Sequence, residues 1–306
     1  MIVDCHVHVW ESLDQLGSAR PDAHRRGHIG PASLTAAEAP LDATPQRHIQ
    51  AGEPVTKSLI LGFKSRYLNA EVSNAFVAGY VRSRPDRLIG VAGIDPTNLS
   101  EALDDLVQAR TQLGMKAVAM YPAAQDFHPA DSRAMQVFAE AAKLGMPVFV
   151  HQGIHVGAAV KLDFARPVLL DEVARELPQL KIVIAQMGYP WVEECVCLLG
   201  KHPNVFADVS ALPVRPWHAY QALLSAFQYG VMDKLLFGSD FPYTTPTAAI
   251  EGLYRINQLV TGTNLPTVPR SLIAAIVERD ALTMLGIDSP PSGSGTGSTI
   301  LDAHDS

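Results

Sequence analysis

The chain is poor in cysteine. Only Cys5, Cys195 and Cys197 occur in 306 residues. An odd, sparse set builds no disulfide framework, and no spacing matches a zinc finger or a Cys-x-x-Cys redox pair, so a reducing cytoplasm is the default expectation. Long apolar runs are missing as well. No segment reaches the roughly 18 apolar residues of a membrane span, and MIVDCHVHVW at the start lacks the basic and apolar stretches of a signal peptide. Positive charge is scarce: 24 Lys and Arg face 31 Asp and Glu, without a dense basic block, which argues against a polyanion binder. Three signatures are absent: a G-x-G-x-x-G turn after the first strand, a G-x-x-x-x-G-K-[ST] phosphate loop and a G-x-S-x-G nucleophile elbow. The partner expected is therefore a small-molecule substrate, with neither nucleic acid nor a membrane. Homo-oligomerisation, as a dimer or a larger assembly, stays open.

What the sequence has is rhythm. Short apolar runs at 1–7, 57–61, 88–93, 117–120, 147–150, 181–185, 205–209 and 234–237 are rich in Val, Ile, Leu or Phe with little polar alternation. Strands of that kind are buried on both faces, as in parallel sheets. Between and after them lie helical patterns at 70–84, 100–113, 132–144, 167–177, 193–199, 217–227, 246–259 and 269–285. Ser100 is a candidate N-cap, and Gly114, Gly145, Gly200 and Gly286 are candidate stops. The β/α unit repeats about eight times, which predicts an α/β fold: a (β/α)8 TIM barrel over residues 1–287 as one domain. Two stretches break the rhythm. Residues 9–54 are long, polar and rich in Pro, His, Ala and Gly; following the first strand, they are expected to cover the active face. Residues 288–306 are rich in Gly, Ser and Pro and read as a flexible tail.

His6 and His8 sit two apart on the first predicted strand, so their side chains leave the same face. They are either polar residues leaving the core or two ligands converging on one point. His151 ends the run PVFVHQG, as a hydrogen-bonded cap or a ligand. Asp240 ends KLLFGSDFPY, as a turn or cap residue, a ligand or a proton carrier. All four end strands, where barrel active sites lie. Together they make a nitrogen and oxygen set of borderline hardness, suited to one divalent ion, Zn²⁺ first, with Mn²⁺ or Fe²⁺ as alternatives.

MIVDCHVHVW, VFVHQG and LLFGSDFPY resemble the metal-dependent amidohydrolase superfamily, and more closely its amidohydrolase-related branch, which includes aminocarboxymuconate-semialdehyde decarboxylase. The segments RPDRLIGVAGIDP, KIVIAQMGYPW and NVFADVSAL agree, and the likeness runs from about Met1 to Gly286. The resemblance implies a metal-dependent hydrolase-type barrel in which His6, His8, His151 and Asp240 are metal ligands. Asp240 would also carry protons. The implied activity is decarboxylation, a C–C lyase reaction, or hydrolysis of a small carboxylated or carbonyl substrate.

One position departs from the pattern. The sixth strand of such proteins usually ends in Ala-His-x-Gly, whereas here KIVIAQMGYPW carries Gln186. An amide keeps hydrogen bonding and loses proton transfer near neutral pH. The alternative is therefore a catalytically impaired barrel that binds a metal or ligand without turnover. Tyr121, Tyr189, Trp191 and Tyr243 are weaker substrate-binding candidates or simply an aromatic rim. Arg66 is a candidate for a substrate carboxylate or a solvated loop residue, and Asp208 a candidate for orienting a neighbour. His24, His28, His48 and His155 read as loop residues. His128, His202, His218 and His304 read as surface residues, and Cys195 and Cys197 as core or interface packing.

Overall fold

A computed structural model describes residues 1–19, 42–153 and 159–287. Most of the segment after the first strand, with His24 and His28, lies outside the described residues, as do His155 and the whole of 288–306 with His304. Eight parallel strands form one sheet: β1 (Val3–His8), β2 (Lys57–Leu61), β5 (Leu88–Gly93), β6 (Ala117–Met120), β7 (Val148–Val150), β8 (Ile182–Ile184), β9 (Val205–Asp208) and β10 (Leu235–Leu236). Their order in the sheet follows the chain, and each neighbouring pair is parallel. Closure comes from the stretch after β10. Cys5 N–H donates to the Phe237 carbonyl and His8 N–H to the Phe241 carbonyl, both at 2.9 Å, and Val7 bridges Phe241 in parallel. The strands are buried almost throughout, as their unalternating sequences require for a sheet wrapped by helices.

The helices are α1 (Pro45–Ala51), α2 (Asn74–Ser83), α3 (Leu99–Thr111), α4 (Pro122–Gln125), α5 (Ser132–Lys143), α6 (Leu170–Glu176), α7 (Val192–Lys201), α8 (Pro216–Gln228), α9 (Pro246–Arg255), α10 (Arg270–Val277) and α11 (Ala281–Leu285). Several boundaries differ from the sequence expectation. Residues 70–84 are not one helix: β4 (Ala70–Val72) pairs antiparallel with β3 (Phe63–Ser65), and α2 starts only at Asn74, capped by Ser73, whose hydroxyl accepts from Phe76 N–H at 3.2 Å. Asn98 rather than Ser100 occupies the cap of α3. The segment 269–285 breaks into two helices because Asp280 caps the second, its carboxylate accepting from Thr283 N–H at 3.1 Å. Gly200 lies inside α7 instead of ending it.

The described ends of the long first connection pack on the face where strands finish. Ser18 N–H donates to the Leu68 carbonyl in the β3–β4 turn at 2.8 Å, and Trp10 N–H to the Ala43 carbonyl at 3.1 Å. His48 is no loop residue. It lies buried in α1, its Nδ1 at 2.7 Å from the Tyr80 hydroxyl and its ring at 5.2 Å from that of Phe241.

Candidate metal centre

The site begins with the pleat of β1. His6 and His8 leave the same side of the strand two residues apart. The pairing of β1 with β2 slips between Asp4 and Val7, an irregularity of the kind that re-aims side chains near a functional site. His151 directly follows β7. Its ring lies 5.6 Å from that of His6 and 6.4 Å from that of His8, and one donor atom from each of the three imidazoles falls within 4.8 Å of the others. His6 Nε2 and His8 Nε2 lie 3.1 Å apart.

Asp240 lies beside the three imidazoles. Oδ1 lies 3.7 Å from His6 Nε2 and 4.0 Å from His8 Nε2. Its backbone is left-handed, with φ of 66°, a conformation that costs energy outside glycine and concentrates at functional sites. Hydrogen bonds fix that turn: Asp240 N–H donates to the His6 carbonyl at 3.0 Å, and Ser239 N–H donates to Asp4 Oδ1 at 2.8 Å. Gly238 makes the approach feasible, since a Cβ there would sit 2.9 Å from His6 Cβ and 3.1 Å from Ser210 Cβ.

Behind the cluster stands Asp208, fully buried at the end of β9. Its Oδ2 is 2.9 Å from His6 Nδ1, and its Oδ1 accepts from the N–H groups of Gln186 and Ser210, both at 3.0 Å, and from the Ser210 hydroxyl. Such a carboxylate fixes the ring and leaves Nε2 to face the cluster. The electrostatics agree. Burial opposes a charge on His6, yet Asp208, Asp240 and Asp4 outweigh it and lift its pKa to about 9. Burial, reinforced by the charge on His6, pushes His8 down to about 3. Burial raises Asp240 to about 6 against the pull of His6, with Asp208 adding to the rise. For Asp208 burial is outweighed by His6 and the donated hydrogen bonds, and its pKa is lowered. The pocket therefore places three carboxylates, Asp4, Asp208 and Asp240, around the imidazoles.

A divalent ion fits these residues. Ligands about 2.0–2.2 Å from one ion stand roughly 3–4 Å from one another, which is the spread of the His6, His8 and Asp240 donors. The set is nitrogen and oxygen only, suited to zinc, manganese or iron.

Gln186 follows β8 with a left-handed backbone, φ 55°. Its Nε2 donates to Asp240 Oδ2 at 3.3 Å, while its buried Oε1 has no hydrogen-bond partner among the described residues. Tyr121 belongs to the same wall: its ring stacks on His151 at 5.3 Å and its hydroxyl donates to the Gly62 carbonyl at 3.1 Å. Tyr243 is coupled electrostatically to Asp240, though burial dominates the upward shift of its phenol. The ring of Tyr189 lies 4.8 Å from that of His218, tilted by 54°, and Trp191, half-buried, precedes α7. Arg66 is half-exposed on the β3–β4 hairpin and pairs with Glu101 at 2.7 Å. His202 is not a surface group; it is mostly buried against Asp171 at 2.7 Å. Cys195 is buried in α7 and Cys197 is exposed.

Two residues escaped the sequence reading. Asp4 accepts from His6 N–H as well as Ser239 N–H, and burial lifts its pKa to about 6; its i, i+2 relation to His6 was a usable signal. Arg215 carried none, because only the fold brings the loop after β9 beside Tyr189.

Comparison with known proteins gives three findings. A family model described as amidohydrolase matches residues 3–287. No curated protein matches the sequence. Solved structures match over almost the whole chain. An uncharacterised TIM-barrel protein from Bordetella bronchiseptica has a TM-score of 0.68 at 24% identity, covering 93% of this chain and 99% of that one. A dihydroxybenzoic acid decarboxylase from Polaromonas, with bound manganese and the inhibitor 2-nitroresorcinol, has 0.64 at 13%, covering 94% and 98%. A probable 2-pyrone-4,6-dicarboxylic acid hydrolase from Acinetobacter baumannii, with citric acid bound, has 0.61 at 18%, covering 93% and 99%. At these identities the likeness carries the barrel fold.

Proposed function

Since the chain belongs to the amidohydrolase family, we propose that it is a metal-dependent enzyme acting on a small carboxylated substrate, with decarboxylation as the reaction and hydrolysis of a carbonyl substrate as the neighbouring option. The observation that carries the reading is the convergence of His6, His8 and His151 with Asp240 alongside. His6, His8, His151 and Asp240 are the proposed ligands of one divalent ion, zinc first, with manganese or iron as alternatives. When bound, such an ion supplies a Lewis acid that polarises a substrate oxygen.

The residues supply the rest. Asp240 sits where burial has raised its pKa to about 6, suited to passing a proton near neutral pH. In decarboxylation it gives that proton to the carbon bearing the carboxylate. The C–C bond then breaks, its electron pair returns to the substrate, and carbon dioxide leaves. In hydrolysis it takes a proton from the attacking water and returns it to the leaving group. Asp208 holds the ring of His6 throughout. Gln186 tethers Asp240 Oδ2 and offers its own Oε1 to a substrate donor. Tyr121 provides a flat wall against His151. The three cysteines, free where described, fit a reducing compartment.

One experiment tests the reading. Purified protein is loaded with zinc or manganese, its metal content measured, and carbon dioxide release followed with 2,6-dihydroxybenzoate; hydrolysis is followed in parallel with 2-pyrone-4,6-dicarboxylate. About one ion per chain, lost in His6→Ala and His151→Ala, with turnover of either compound, is the expected result. A folded protein that holds no ion overturns the metal reading. One ion without turnover of either compound favours the impaired barrel that Gln186 brings into view.

A further inference from the structure

Tyr121 directly follows β6, as His151 directly follows β7. The two strands are parallel with Met120 beside Val150, and His151 N–H donates to the Met120 carbonyl at 2.8 Å. That register sets Tyr121 and His151 next to each other at the strand ends. Their rings stack, with centroids 5.3 Å apart and planes 24° from parallel, whereas the ring of His8 is 6.5 Å from Tyr121 and tilted by 45°. Tyr121 is itself anchored on three sides. Its hydroxyl donates to the Gly62 carbonyl at 3.1 Å, its N–H donates to Gln125 Oε1 at 2.7 Å, and its ring meets that of Phe63 edge to face at 4.8 Å. The anchors are fixed in turn. A Cβ on Gly62 would sit 2.7 Å from Gly93 N, so that peptide lies tight against the neighbouring strand. Gln125 is fully buried, and its Nε2 donates to the Lys64 and Ile94 carbonyls at 2.6 and 2.8 Å. Burial, with Asp240 adding to it, pushes the phenol up, so the hydroxyl keeps its proton and stays a donor. Tyr121 is 4% exposed, which leaves little of its ring to meet a substrate.

Resting on the metal-centre reading above, we propose that Tyr121 is a positioning residue: its anchored ring fixes the plane of His151 and so sets how tightly the three-histidine site holds its ion. A strand determines where a side chain leaves the backbone, but the last torsion of an imidazole is broad. A ring free to turn about that bond must be ordered each time an ion binds, and a rigid flat neighbour orders it beforehand. For His6 the task falls to Asp208, through the hydrogen bond at Nδ1. For His151 the stacked face of Tyr121 performs it. The hydroxyl is the tether that holds the plate, and the plate is what acts on the histidine.

The probe is manganese, titrated by calorimetry into the full chain after a chelator has stripped it of metal. Cobalt(II) then takes the place of manganese, and its visible bands report the geometry of the ligands. Wild type is compared with Tyr121→Phe, which keeps the ring and loses the tether, and with Tyr121→Leu and Tyr121→Met, which lose the ring; the methionine fills the space should the leucine variant fail to fold. Manganese affinity is expected to fall about tenfold to a hundredfold in the leucine and methionine variants, the usual effect of removing a group that orients a metal ligand, and the cobalt bands to move with it. Tyr121→Phe should have a lower melting temperature, because the Gly62 carbonyl loses its donor, yet keep close to the wild-type affinity and bands. A tyrosine that serves only stability would lower the melting temperature in all three and leave affinity and bands unchanged. That result in a folded leucine or methionine variant overturns the proposal, as does a phenylalanine variant whose affinity falls into the tenfold-to-hundredfold range expected for loss of the ring. Wild-type protein that takes up no manganese overturns the metal-centre reading and the proposal with it, so the two failures are told apart by the wild-type titration.

Discussion

At the scale of the residue, the position that decides most is Gln186. Its amide hydrogen-bonds Asp240 at 3.3 Å and keeps an unpartnered Oε1 in the site, but it cannot carry a proton near neutral pH. Its φ of 55° lies in the left-handed region, where histidine is tolerated better than most side chains. Gln186→His should therefore fold, keep its metal and gain turnover on a substrate of the decarboxylase type. The gain expected is some part of the about 10²–10⁴ that general acid–base groups contribute. The measurement is kcat over a pH series at matched metal loading. A slower histidine variant and a fully active glutamine protein would show Gln186 to be an adapted residue instead.

Much of the candidate site at this scale was legible beforehand. His6, His8, His151 and Asp240 all end apolar runs, and strand ends can be read from one sequence. Asp4 was legible in principle from the same alternation that pairs His6 with His8. Arg215 was not, because its neighbour Tyr189 comes from a different loop, and such neighbours belong to three dimensions. Arg66 looked equivalent in sequence and proved to be tied to Glu101 at the surface.

At the scale of the element, the decisive junction is where the stretch after β10 meets β1 and β9. Gly238 has no room for a methyl group: a Cβ would come within 2.9 Å of His6 Cβ and 3.1 Å of Ser210 Cβ. Gly238→Ala must push β1 away from Asp208 and Asp240. The expected cost is about 1–3 kcal/mol of stability, the usual range for overpacking a tight interior, together with weaker metal retention. Urea unfolding and metal titration measure the two. An alanine variant with unchanged stability and metal affinity would mean that the strands yield freely there. Element existence followed from the apolar runs. Element boundaries did not, since Ala70–Val72 is helical by local pattern and becomes a strand only because Phe63–Ser65 pairs with it.

At the scale of the whole molecule, one buried histidine links the first connection to the barrel wall. His48, in α1, packs against Tyr80 of α2 and Phe241 beyond β10. Burial, with a smaller push from Arg87, lowers its pKa to about 4. The unfolded chain takes up that proton near its ordinary value of about 6.5. The folded state waits until about 4, so this contribution to stability is complete above about pH 6.5 and falls as the pH drops toward 4. His6, Asp4 and Asp240 titrate as well, so the clean quantity is a difference. The stability gap between wild type and His48→Gln should be about 2 kcal/mol narrower at pH 5 than at pH 7. Urea unfolding at both values checks it, and a gap that stays constant contradicts a neutral buried imidazole.

The sequence by itself determined the alternation of eight buried strands with helices, and with it the barrel, because a strand covered on both faces must be apolar along its length and those runs are local. It also determined which polar side chains lie at or near the strand ends, since the apolar runs that bound them are local. What the tertiary structure decided is the company each of them keeps. Asp208 reaches His6 across 202 positions, Asp4 holds Ser239 across 235, and Arg215 meets the ring of Tyr189. Closing a sheet into a barrel brings the first strand against the last, and that contact, set by the wrapping of the chain, has no counterpart in the order of residues along it.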